Sequence, residues 1–152
     1  MFTDFILASL HHLAVFTLVA VVACELVLLR PGIDGPTIKR IGILDLIYGA
    51  VAGLVVVAGF ARVFFGAKGP DYYFANYIFW TKIGLFAAIG LISIPPTLRF
   101  IAWRRELKRD PKWLPGPLEV RKIKRFIHVE AGLLIFLPIL GAAMARGYGF
   151  LQ

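Results

Sequence analysis

The chain has 152 residues, of which 59% are hydrophobic, and its mean hydropathy is +0.79. Soluble domains are roughly 45–50% apolar, so a soluble core is excluded and lipid is the solvent for much of this surface. Lys and Arg outnumber Asp and Glu by 17 to 9, for a net charge of +8, but ten of the basic residues lie between Arg99 and Arg125. That clustering is a membrane-orientation signal and does not point to nucleic acid.

Four apolar runs follow one another along the chain, at about Phe5–Leu29, Ile41–Phe65, Tyr77–Ile101 and Ile123–Ala145. Each reaches the roughly 20 residues that cross the hydrocarbon layer, and backbone groups in lipid need internal partners, so each is expected to be a helix. The expected fold is an all-α integral membrane protein, a four-transmembrane-helix bundle forming one membrane domain over residues 1–152. The first run lacks a basic leader and contains Asp4 before it, so Val21-Val22-Ala23-Cys24 reads as part of a retained helix and not as a processing site.

Charge counting gives the orientation. The 30–40 loop and the 99–125 segment hold thirteen Lys and Arg, against three on the other side (Arg62, Lys68 and Arg146). Both basic loops are therefore expected in the cytoplasm and both termini on the outer, periplasmic side of a bacterial inner membrane. Tyr72, Tyr73, Tyr77 and Trp80 mark one interface, and Trp103 and Trp113 the other.

Ionisable residues inside the runs carry the functional signal, because a charge in lipid costs at least a few kcal/mol. The outer half collects His11 and His12 from the first run, Arg62 from the second and Lys82 from the third, with Arg146 on the same side. Such a positive set complements an anionic ligand such as a propionate, phosphate or carboxylate. His11 shares a helical stripe with Ala14, Leu18, Val22 and Glu25, while His12 points about 100° away. His11 reads either as a metal or haem ligand or as a packing histidine. Lys82, on a stripe with Ile89, Ser93 and Pro96, reads as a ligand, as an anion anchor, or as a snorkelling side chain. Arg62 reads as an interfacial anchor. Gly49 and Gly53 form a G-x-x-x-G pair that, with Ala52 and Gly59, suggests a central second helix and suits homodimerisation.

The inner half holds Glu25, Arg30, Asp45, Arg99, His128 and Glu130, for which mutual ion pairing is the first expectation and a proton path along Glu25 and Glu130 the second. Ser93-Ile94-Pro95-Pro96-Thr97 is expected to kink the third helix, leading into an interfacial helix at 98–108. The basic residues of the following loop suit anionic lipid. Cys24 alone excludes an internal disulfide and thiolate-cluster metal sites, and two methionines argue against copper transport. Three histidines at two opposite depths argue against bis-histidine haem within one subunit.

The segments Leu10-His11-His12-Leu13-Ala14-Val15-Phe16, Glu25-Leu26-Val27-Leu28-Leu29-Arg30, Gly59-Phe60-Ala61-Arg62, Phe79-Trp80-Thr81-Lys82 and Ala145-Arg146-Gly147 resemble the four-helix bacterial membrane family termed domain of unknown function 2214. The likeness covers almost the whole chain and implies an inner-membrane protein without an assigned activity. More distantly, His11 and Trp80-x-Lys82 are similar to HemJ-type protoporphyrinogen oxidases and, through them, to the membrane domain of CopD-type proteins. That resemblance implies haem b between His11 and Lys82 as axial iron ligands, with Arg62 at a propionate. It also implies an oxidoreductase or electron-transfer role with a quinone, porphyrin or redox-protein partner. The competing expectation is a non-enzymatic membrane protein that binds a lipid, an anion or a partner subunit.

Overall fold

The computed structural model describes residues 2–150. Six helices follow in order: α1 (Phe2–Leu28), α2 (Gly35–Phe65), α3 (Gly69–Phe74), α4 (Tyr77–Arg109), α5 (Pro117–Leu134) and α6 (Phe136–Ala145). Among the described residues, α1, α2, α4 and the α5–α6 pair are long and apolar enough to cross a membrane. Their outward faces carry Phe5, Leu13, Phe16, Leu46, Val57, Leu91, Leu98 and Phe136, all exposed, as lipid contact requires.

Local chemistry sets the ends. Asp34 caps α2 by accepting the Thr37 amide at 2.9 Å, with a proline in the first turn, so α2 begins six residues before its apolar run. The Asp34 carboxyl is held below the usual aspartate range by its bonds to Thr37. Asn76, fully buried, caps α4 by accepting from the Ile78 amide at 2.9 Å and donates to the Tyr148 carbonyl at 2.9 Å. Pro117 starts α5, which takes in the basic stretch expected to be loop.

The separate interfacial helix expected after Ser93 is not formed. Pro95 and Pro96 lie inside a continuous α4 of 33 residues, about 50 Å long at 1.5 Å per residue. Ser93 Oγ donates to the Gly90 carbonyl at 2.8 Å and Thr97 Oγ1 to Asp45 at 2.7 Å, so both neighbouring hydroxyls are engaged around the proline pair. The fourth span breaks instead, at Ile135 between α5 and α6. Pro138 has no N–H to donate to the Leu134 carbonyl four residues back, which accounts for the break.

The spans form a ring. α1 packs on α2 and α5, and α4 packs on α2, α5 and α6, while α1 and α4 stand diagonally opposite without packing on each other. α6 packs on α4 and α5 but not on α1. Both termini lie at one end, where Asp4 accepts the Ala67 amide at 3.2 Å and Phe150 bridges to Asn76.

Two packing expectations change. The Gly49–Gly53 pair is exposed and has nothing near its missing Cβ atoms; the close approaches on α2 are Gly42, against the Arg104 side chain, and Gly59, against His11. Trp103, expected at an interface, is 1% exposed, packs edge-on against Phe100 and donates to Glu119 at 3.0 Å. Trp103→Ala is therefore expected to lower detergent thermal stability by about 3–5 kcal/mol, the usual range for emptying an aromatic core site. Trp80→Ala, at a 55% exposed position, should cost far less in the same thermal-shift assay.

Candidate functional site

Two polar clusters lie inside the ring. One, toward the end that carries the termini and so outer in the expected orientation, joins His11 of α1, Arg62 of α2 and Lys82 of α4. The stripe below His11 is buried at Ala14, Leu18, Val22 and Glu25, so the imidazole faces inward. It sits over Gly59, where an added Cβ would come within 3.3 Å of the His11 Cε1 and 3.6 Å of its Nδ1. The Val55 backbone borders the same ring. Lys82 shares its face with buried Ile89 and Pro96, and its Nζ lies 3.6 Å from a Cβ placed on Gly141 of α6. The lysine thus reaches across to α6 and does not run out along its own helix.

His11 feels the charges of both Arg62 and Lys82, so the three groups share one region on the bundle axis. His11 Nδ1 and Arg62 Nε are buried without any hydrogen-bond partner. Among the described residues no salt bridge reaches the three. The other members of the expected set stay apart. His12 is exposed, with its ring edge-on to His11 at 6.1 Å, and Arg146 is exposed and donates to the Ala142 carbonyl. Above the cluster, Lys68 donates to Tyr72, which donates to the Met144 carbonyl, both at 2.8 Å, tying α3 to the end of α6.

The inner cluster is acidic. Glu25 of α1 is 2% exposed and Glu130 of α5 1%, and each has one carboxylate oxygen, Oε1, buried without a partner. Asp45 of α2 accepts from Thr97, and the Tyr48 side chain lies between Glu130 and Ser93. A groove of about 520 Å³ opens between α2 and α4, lined by Asp45, Tyr48, Phe86, Ser93, Thr97 and Arg104 among others.

Mutual ion pairing of the inner residues is not what forms. Arg99 is turned outward to Glu119 at 3.6 Å, Arg30 is exposed, and His128 is exposed with its Nδ1 2.8 Å from the Lys124 carbonyl. Similar depth along two helices does not put two side chains on facing sides, and here the bases face out while the acids face in. Tyr48, Ser93, Thr97 and Gly141 were not singled out as site residues by sequence. Inward stripes shared with Arg62 and Lys82 were the available signal for Tyr48 and Ser93.

These features define a polytopic α-helical membrane protein with two polar clusters of opposite sign on the axis of a four-span ring. The chain belongs to the family described as Predicted membrane protein (DUF2214), which it matches over residues 3–149. No curated protein and no solved structure matches it.

The exposed Arg99–Glu119 pair, with side chains 58% and 34% exposed, is expected to contribute under about 1 kcal/mol. Arg99→Ala should thus barely move the thermal midpoint. Glu119→Ala should cost more, because it also strips the buried Trp103 N–H of its acceptor. Equal losses in the two variants would contradict this arrangement.

Proposed function

We propose that the outer cluster holds haem b in the membrane, with His11 and Lys82 as axial ligands and Arg62 at a propionate, in an oxidoreductase or electron-transfer role. The observation that carries this reading is the buried His11 Nδ1 left without a partner beside two cationic side chains. A buried imidazole nitrogen with no donor or acceptor costs about 1–3 kcal/mol, which a bond to iron would offset. Its lone pair is the ligating atom in neutral histidine, and the amine of Lys82 ligates in the same manner once it has lost its proton.

Placement of the helices supports the fit. α1 and α4 stand diagonally across the ring, so His11 and Lys82 would hold the group between two spans that do not pack on each other. Gly59 and Gly141, having no Cβ, let the His11 and Lys82 side chains lie close against α2 and α6. α6 packs on α4 and α5 and makes no contact with α1. Arg62 supplies a planar donor for a carboxylate, and such an anion would satisfy its buried Nε. Haem bound here would supply a one-electron couple whose potential the axial pair sets. With the basic loops in the cytoplasm, the site would lie in the outer half of a bacterial inner membrane, facing a quinone, a porphyrin or an electron-transfer protein.

A second reading rests on the finding that, among the described residues, no acid pairs with Arg62 or Lys82. An acidic lipid phosphate would satisfy both cations without iron, in a protein that is not an enzyme.

The deciding measurement is the absorption spectrum of the detergent-purified protein, oxidised and dithionite-reduced. The expected outcome is a Soret band with reduced α and β bands, lost in His11→Ala, shifted or weakened in Lys82→Ala and retained in His12→Ala. A colourless protein after expression with added haem would overturn the haem reading. Retention of anionic lipid through purification, lost in an Arg62→Ala Lys82→Ala variant, would then favour the second.

A further inference from the structure

The inner cluster poses a problem that no residue facing it solves. Glu25 and Glu130 are almost fully buried, Glu25 lies within the electrostatic reach of both Glu130 and Asp45, and each glutamate has a carboxylate oxygen with no partner. The groups facing them from α2 are Asp45 and Tyr48, and from α4 the hydroxyls of Ser93 and Thr97. The arginine of α4 nearest the groove, Arg104, is spent on Gly42, whose carbonyl accepts from it at 3.4 Å. α6 contains no ionisable residue, and on α1 and α5 the flanking Cys24 and His128 are exposed. Two bare carboxylates in such a setting would cost several kcal/mol each, more than polar neighbours such as Tyr48 return.

We propose that Glu25 and Glu130 form a proton-binding pair inside the membrane, loaded through Tyr48 and Ser93 from the groove between α2 and α4. A proton on one carboxyl removes a charge and turns that group into a donor for the other carboxylate's unpaired oxygen. A metal ion is the poorer occupant, because no three His, Cys, Asp or Glu side chains among the described residues are grouped to hold one. The route follows from the neighbours. A proton reaching the Tyr48 oxygen from the Ser93 side releases the phenolic proton to Glu130, and Glu130 passes it on to Glu25. Each transfer breaks one O–H bond and forms another, and no electron moves.

Infrared spectroscopy of the full chain in lipid vesicles tests this without any variant. Of the four glutamates, Glu106 and Glu119 sit in ion pairs, so the wild type labelled with 13C-glutamate should show a protonated carboxylic C=O band near neutral pH only if Glu25 or Glu130 carries it. The band is expected to downshift in D2O, to be lost or displaced in Glu25→Gln and in Glu130→Gln, and to persist in Asp45→Asn. Tyr48→Phe should keep the band and slow its deuterium shift. Absence of a label-sensitive band in the wild type would overturn the proposal, as would a band unchanged in both glutamine variants. The band is expected whether or not haem binds, so its absence would leave the reading of the outer cluster standing.

Discussion

Lipid offers no hydrogen bonds, and that single deficit shapes this molecule from backbone to site. Every peptide group within the hydrocarbon needs a partner inside the chain, so the apolar runs become helices. Lipid also gives apolar faces little reason to leave it, so helices associate through close packing and polar fastenings. The fastenings are specific: Gly42 under Arg104, Gly59 under His11, Trp103 on Glu119, and Asn76 joining the start of α4 to the C-terminal turn. They sit toward the ends of the bundle and along its axis, while the outer faces stay apolar.

The four spans were legible because long apolar runs have no other stable fate in lipid. The ends at Phe65, Tyr77 and Ala145 were legible too, but those that run into polar sequence were not, since hydropathy stops where charge begins but a helix stops where its caps lie. Asp34 and Pro117 start two helices well inside polar sequence, and α4 runs on to Arg109. The inward stripes of His11 and Lys82 were also readable, because helical periodicity fixes which residues share a face. Periodicity does not fix how two helices are turned toward each other. That is why the inner acids and bases, matched in depth, were expected to pair and instead point in opposite directions. The G-x-x-x-G pair closes no helix contact within the chain for the same reason: a small-residue face marks where close contact is permitted, not which helix supplies it.

One irregularity places both clusters. Because Pro138 cannot continue the hydrogen bonding of α5, the fourth span breaks at Ile135 and its two halves take different neighbours. α5 packs on α1 and brings Glu130 toward Glu25, closing the inner half of the ring. α6 packs on α4 and not on α1, bringing Gly141 to Lys82 and leaving the outer half less closed.

The two clusters, opposite in sign on one axis, do not neutralise each other. His11 and Glu25 share a stripe of α1 but stand fourteen residues apart, about 21 Å at 1.5 Å per residue. At an effective dielectric of 20, unit charges at that distance attract by about 0.8 kcal/mol. Desolvating each ion costs several kcal/mol, so the attraction is too small to hold either in its charged form. Each cluster therefore needs a local remedy, and their chemistries call for different ones. Nitrogen donors with no acid beside them suit a ligand that brings negative charge or an empty coordination site. Carboxyls with no base beside them suit a proton.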